Sequence, residues 1–283
     1  MTAQRNTEKV EQQIEEIARN ANVVRHAVAL HDYESGTDLA IDPDRRFHAA
    51  STIKVAILLA LFKAVDDGRV RADGPLHVRN RFLSIADQKP FSVDRESDGY
   101  PQLYKVIGRT AKVADLADSM ITSSSNLATN LLLDYLTVDY ARSVLENAGI
   151  RGVELLRGVE DEEAHERGLN NETSANGLVA LFGALRSDFL SKPSRDQVIN
   201  ILLNQKFNSM IPAGLPQHAS VAHKTGEIST VCHDAGIVYL PEREPYVVAI
   251  LTEINSNTNG VRDAIAKMSK VIYEFVSTRN GSN

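Results

Sequence analysis

Eight consecutive apolar residues, Val55 to Phe62, constrain this chain more than any other stretch. A surface helix shows one apolar stripe, whereas a segment apolar on every side must be enclosed. The run is far too short to span a bilayer, which takes about 20 residues. It predicts a helix at the centre of a core, covered on all faces by other elements. Just before it stand Phe47-His48-Ala49-Ala50, then Ser51 and Lys54. Three apart on a helix, Ser51 and Lys54 share a face, with Cβ atoms about 5–6 Å apart. A serine hydroxyl becomes a nucleophile when a base takes its proton. A lysine can be that base if burial or a second cation lowers its pKa. The plainer reading is a core helix with a serine near its start and a lysine on its rim. Ser-x-x-Lys alone does not decide between the two.

The chain has 283 residues, 43% hydrophobic and 24% charged, which suits a globular protein with one large core or two lobes. Its net charge is -6 with no basic block, which argues against nucleic-acid binding. A single cysteine, Cys232, leaves no internal disulfide and no multi-cysteine metal site, and reads as a small buried hydrophobe. The eight histidines include no His-Glu-x-x-His, so neither a metal nor a cofactor is expected. Residues 1–20 are polar and carry both charges, with Val10, Ile14 and Ile17 at helical spacing and no apolar core of the secretory type. The expectation is a soluble protein without a membrane span, cytoplasmic rather than a secreted mature form.

Residues 26–33 and 38–41 read as a hairpin around Glu34-Ser35-Gly36-Thr37. From 51 to about 205 the pattern is mostly helical: 111–121, 126–136, 140–148 with Gly149 as cap, 173–185 and 195–203. Two polar stretches interrupt it, 84–99 as an exposed loop and 157–171 as a long acidic loop. Loops of that length without structure are usually functional. Beyond Gly214 the period becomes two, giving strands at 221–224, 235–240 and 246–251, then a helix over 260–275. The predicted fold is an α/β two-lobe sandwich. An antiparallel sheet is built from both chain ends (1–48 and 206–283), and a helical lobe spans 49–205. All 283 residues form one domain.

Three patterns recur in a telling order: Ser51-x-x-Lys54, then Ser124-Ser125-Asn126 between two helices, then Lys224-Thr225-Gly226 at a strand end. Singly, Ser124 and Asn126 read as helix caps and Lys224 as an exposed strand end. Together they resemble the signature of the serine β-lactamases and penicillin-binding proteins. The flanks resemble the class A branch: Phe47 to Val55, and Met120 to Asn126 followed by Asn130-Leu131-Leu132-Leu133. The similarity runs from the first hairpin to the last helix.

This resemblance implies a β-lactamase-like serine hydrolase working through an acyl-enzyme, a monomer acting on a small-molecule substrate. Ser51 would attack the lactam carbonyl and Lys54 would activate it, directly or through water. Ser124 would relay a proton to the leaving nitrogen. Asn126 would bind the substrate amide and Lys54. Lys224 would supply positive charge and Thr225 would help hold the substrate carboxylate, with Gly226 completing the motif. The backbone N–H groups of Ser51 and Glu227 would form the oxyanion hole. Alternatives are a D-alanyl peptidase or esterase with slow deacylation, and a non-catalytic sensor that keeps the pocket.

The sequence departs from the family at three points. Ser125 stands where those enzymes usually have Asp. Glu227 replaces a small residue, and its charge could repel an anionic substrate. The long loop offers two glutamates for deacylation. Glu166 matches a Glu-x-x-Leu-Asn string, while Glu160 fits when the loop is aligned from Arg157; both could equally be solvated charges. Tyr100 or Tyr104 could line the cleft.

Overall fold

Alternating small and large apolar residues along five segments create a sheet with two different faces. The computed structural model describes residues 2–255 and 258–278. Strands β1 (Arg25–Asp32), β2 (Thr37–Ile41), β3 (Ser220–Ile228), β4 (Val231–Tyr239) and β5 (Tyr246–Glu253) form a sheet in the order β3-β4-β5-β1-β2. All pairings are antiparallel, and β1 meets β5 from Arg25↔Glu253 to Asp32↔Tyr246. The β1–β5 pair thus joins the N-terminal hairpin to the three C-terminal strands in one open sheet.

Period two sends Val28, Leu30, Val248, Ile250 and Val238 to one face. There they meet Ile14 of α1 (Thr2–Asn20) and Ile265, Met268 and Ile272 of α9 (Thr258–Thr278). The other face carries Ala27, Ala29, Ala222, Ala235 and Ala249. These short side chains let α7 (Ala175–Arg186) lie on β1 and β5, and α8 (Lys192–Leu203) on β3.

The apolar run becomes α2 (Lys54–Asp66), and Val55 to Phe62 are each at most 1% exposed. It is enclosed by α3 (Val113–Thr122), α4 (Asn126–Leu136), α5 (Val138–Asn147), α7 and α8. Each of its Leu, Ile and Phe side chains contributes roughly 1.5–3 kcal/mol by burial. Among the described residues no helix is long and apolar enough to cross a membrane.

Two loop expectations need correction. Residues 157–171 contain a short helix, α6 (Glu162–Glu166), started by Asp161, whose side chain accepts from the Ala164 N–H. Five residues with one buried side chain, Ala164, leave no period to read. The stretch 84–99 is not simply exposed, because Ser84 and Asp98 are buried within it.

Candidate active site

The segment before α2 is held from both sides. Phe47–His48 pairs with Glu172–Thr173, and the Ala49 N–H donates to the Asn171 carbonyl at 2.9 Å. Ala50 then takes φ +45°, a left-handed conformation costly for a residue with a Cβ. Its N–H donates to His48 Nδ1 at 3.0 Å, and His233 Nε2 donates to the His48 carbonyl at 3.0 Å. Burial pulls the His48 imidazole down to about 4, so it is a neutral acceptor at ordinary pH. The chain passes into a 3-10 turn (Ala50–Ile53) that leads directly into α2. Ser51 lies in that turn and Lys54 is the first residue of α2, and both side chains reach one atom, Ser124 Oγ.

The second cluster sits where α3 turns into α4. Ser125, not Ser124 or Asn126, is the N-cap, its side chain accepting from the Ala128 N–H. Ser124 adopts φ +58°. This turns its carbonyl and hydroxyl together toward Lys54, which donates to Ser124 O at 2.7 Å, Ser124 Oγ at 3.0 Å and Asn126 Oδ1 at 2.7 Å.

The third cluster arrives on β3. Gly226 allows the approach: a Cβ there would lie 2.9 Å from Thr52 Cγ2, 3.0 Å from Thr52 N and 3.1 Å from the Ala49 carbonyl. Lys224, on the same strand, donates to Ser124 Oγ at 3.2 Å and to the Thr225 carbonyl at 2.9 Å. Thr225 itself is 5% exposed.

Ser124 Oγ is therefore a hub. It accepts from both ammonium groups and donates to Ser51 Oγ at 3.0 Å. A hydroxyl has one donor and two acceptor positions, and all are used. Both lysines are fully buried. Burial, and secondarily the charge of Lys224, holds Lys54 well below the usual lysine range, against the pull of Asp98 and Glu160. Burial lowers Lys224 to about 7, opposed by Asp234 and Glu227. An amine held low in this way is neutral over more of the pH range than an ordinary lysine and can exchange a proton with a neighbouring hydroxyl.

Above these groups opens a cavity of ≈ 360 Å³, whose lining includes Ser51, Asn126, Arg157, Glu160, His165 and Glu227. Glu160, at φ +59°, accepts from Asn126 Nδ2 at 2.5 Å and from the Asp94 N–H at 2.8 Å. Asn130 and Asn171 fix the loop that presents it. Asn130 exchanges bonds with the Val159 N–H and carbonyl, and Asn171 Oδ1 accepts from the N–H groups of Leu156 and Arg157. Glu166 ends α6 exposed, outside that lining. Glu227 is neutralised locally by Arg262, which donates from Nε at 2.6 Å and from Nη2 at 2.8 Å. Cys232 is buried, its thiol against Glu227 Oε1 and Met210. Neither Tyr100 nor Tyr104 lines the cavity. Among the described residues no group of His, Cys, Asp and Glu could hold a metal ion.

Sequence reasoning gave no role to His48, Asn130, Asn171 or Asp98: His48 and Asn130 stand inside the flanking segments quoted above with nothing to mark their contacts, and Asp98 lies in no motif. The profile of the Beta-lactamase enzyme family matches residues 9–276. The β-lactamase ROB-1 of Haemophilus influenzae is 28% identical over 250 residues, covering 85% of this chain and 77% of its own. A β-lactamase of Streptomyces fradiae is 28% identical over 233 residues, covering 78% and 71%. Among solved structures, an acyl-enzyme complex of a PBP-A mutant with penicillin G is 28% identical, with a TM-score of 0.79 over 95% of this chain and 96% of that one. An ancestral class A β-lactamase is 26% identical, with a TM-score of 0.80 over 94% and 99%. With a profile matching nearly its whole length and three polar clusters meeting at one serine, the chain belongs to the beta-lactamase enzyme family.

Proposed function

We propose that this protein is a serine hydrolase that opens β-lactam amide bonds through an acyl-enzyme on Ser51. The observation that carries the reading is the Ser124 hydroxyl, hydrogen-bonded at once to Ser51, Lys54 and Lys224. When Lys54 is neutral, the Ser124 hydroxyl turns to donate to the amine lone pair and accepts from Ser51 instead; the Ser124 proton then passes to Lys54 and the Ser51 proton to Ser124. The Ser51 oxygen then bonds to the lactam carbonyl carbon. The developing oxyanion is met by the backbone N–H groups of Ser51 and Glu227, two residues of the cavity lining. As the C–N bond breaks, the proton returns through Ser124 to the nitrogen. Lys224 and Thr225 receive the substrate carboxylate, and Asn126 its amide. Glu160 is the base that activates water for deacylation; of the two glutamates, it is the one in the cavity wall.

A second reading, a D-alanyl peptidase or esterase with slow deacylation, draws on one observation. Both Glu160 carboxylate oxygens are already engaged, one by Asn126 and one by the Asp94 N–H. A fluorescent penicillin separates the readings. Labelling of wild type and none of Ser51→Ala identifies the nucleophile. The adduct mass should then vanish within seconds in wild type and persist in Glu160→Gln. An adduct lasting hours in both selects the slow reading, and no adduct with lactams or esters leaves only a binding module.

A further inference from the structure

The loop before α3 reaches back into the site. At Gly99 a Cβ would lie 1.7 Å from the Ser123 carbonyl oxygen, so the loop backbone is pressed directly onto the turn that carries Ser124. The residue before it, Asp98, is 5% exposed. Its Oδ1 accepts from the Tyr100 N–H at 2.7 Å. Its Oδ2 accepts from Ser125 Oγ at 3.2 Å, the Leu127 N–H at 2.8 Å and the Tyr104 hydroxyl at 3.1 Å. Two of these donors flank Asn126, so the carboxylate clamps the first turn of α4 from below. Four residues earlier the same loop offers the Asp94 N–H to Glu160.

We propose that Asp98 is a positioning residue for the acylation step: its buried carboxylate locks the Ser124-Ser125-Asn126 turn and supplies negative charge beside Lys54. This inference rests on the acylation reading given above. The lock is needed because Ser124 sits at φ +58°, a conformation that persists only when its surroundings over-determine it. If the turn relaxes, Ser124 Oγ leaves its place among Ser51, Lys54 and Lys224. The charge matters because Lys54 is fully buried against a second cation. Asp98 and Glu160 are the anions acting on Lys54, and Lys224 the cation. Ser125 itself brings no charge to the turn, so the carboxylate comes from a loop 27 residues away in sequence. An amide cannot replace it. Whichever way Asn turns, its NH2 faces at least one of the donors that now point at the carboxylate.

The test compares wild type, Ser51→Ala, Asp98→Asn and the double variant Asp98→Asn/Ser125→Asp, by rate of labelling with a fluorescent penicillin across pH and by thermal unfolding. Asp98→Asn should label about 10- to 100-fold more slowly, the range set by small misplacement of a reacting group. Its acid limb should also move to lower pH, because Lys54 loses an anion that favours its proton. A loosened fold alone would slow labelling and leave that limb in place. The double variant returns a carboxylate to the turn, at an N-cap position suited to Asp, and should recover both rate and limb. Should Asp98→Asn fail to fold, the double variant decides: folded and labelling supports the inference, folded and inert overturns it. Labelling of Asp98→Asn at the wild-type rate and pH profile overturns this inference alone, since wild type still labels at Ser51. A wild type that never labels overturns the acylation reading and this inference with it.

Discussion

The ammonium groups of Lys54 and Lys224 donate to the same oxygen, Ser124 Oγ, at 3.0 and 3.2 Å. Two buried cations on one hydroxyl cannot be indifferent to pH. Lys224 titrates near 7 in the folded protein, against 10.5 ordinarily. Below about pH 7 both folded and unfolded chains hold its proton, and burial of the charge costs its full amount. Between 7 and 10.5 the unfolded chain binds more protons, so this contribution to stability rises with pH. Lys224→Met should therefore raise the melting temperature most at pH 6, by the equivalent of a few kcal/mol, with the gain fading toward pH 10.5. The rate constant for acylation should fall above about pH 7 as Lys224 loses its charge, and Lys224→Arg should flatten that alkaline limb. A stopped-flow pH series with the three proteins checks both.

Ser124→Ala removes the oxygen through which Ser51 and Lys54 communicate, since the three Lys54 hydrogen bonds go to Ser124 O, Ser124 Oγ and Asn126 Oδ1. Loss of a positioned proton carrier typically costs 10²–10⁴-fold. It also leaves two buried ammonium groups short of an acceptor, at about 1–3 kcal/mol of stability. Burst kinetics should show acylation slowed by at least about 100-fold. An unchanged burst would mean that the Ser51 proton leaves by another path.

Much of this arrangement was legible before any coordinates. The helix expected over 126–136 is observed as Asn126–Leu136, because its leucines recur at helical spacing, Leu127 with Leu131 and Leu132 with Leu136, although the cap is Ser125 and not Ser124 or Asn126. The five sheet strands follow from period two. What stayed hidden is what depends on contacts between distant loops. Asp98-Gly99 reads as an ordinary polar turn, and nothing in its neighbourhood marks the carboxylate as buried. Which of Glu160 and Glu166 faces the cavity depends on Asn130 and Asn171 gripping the loop backbone; Asn130 stands outside the loop, and nothing in the string shows that Asn171 folds back onto Leu156 and Arg157. The concern that Glu227 repels anions could not foresee Arg262, 35 residues on, lying across from it.

Gly226 is a spacer between β3 and the turn bearing Ser51. A methyl group there would press on Thr52 Cγ2 at 2.9 Å and on two backbone atoms at 3.0 and 3.1 Å. The backbone cannot yield as a side-chain tip does, so β3 must shift outward and carry Lys224 away from Ser124. Gly226→Ala should cost about 1–3 kcal/mol by overpacking. Acylation should fall by more than that loss of stability explains at temperatures where the variant is fully folded. Denaturant titration and labelling on one preparation separate the two effects. Wild-type labelling by a stable variant would show that the spacing is not critical.

Arg262 holds the Glu227 carboxylate in a two-point ion pair at the edge of the cavity, with side chains 38% and 27% exposed. A partly exposed pair contributes at most about 1 kcal/mol to stability, so Arg262→Ala should leave the fold nearly unchanged. It would, however, leave an uncompensated anion in the wall that an anionic β-lactam approaches. At separations of several ångströms and intermediate dielectric, that repulsion is about 1 kcal/mol, or roughly a fivefold loss of apparent affinity. The loss should shrink with added salt, because the wall is open to solvent. Glu227→Gln in the Arg262→Ala background removes the stray charge and should recover most of the affinity, whereas Glu227→Gln alone should weaken it little. If the double variant binds no better than Arg262→Ala, then the arginine acts on the substrate itself and not through Glu227.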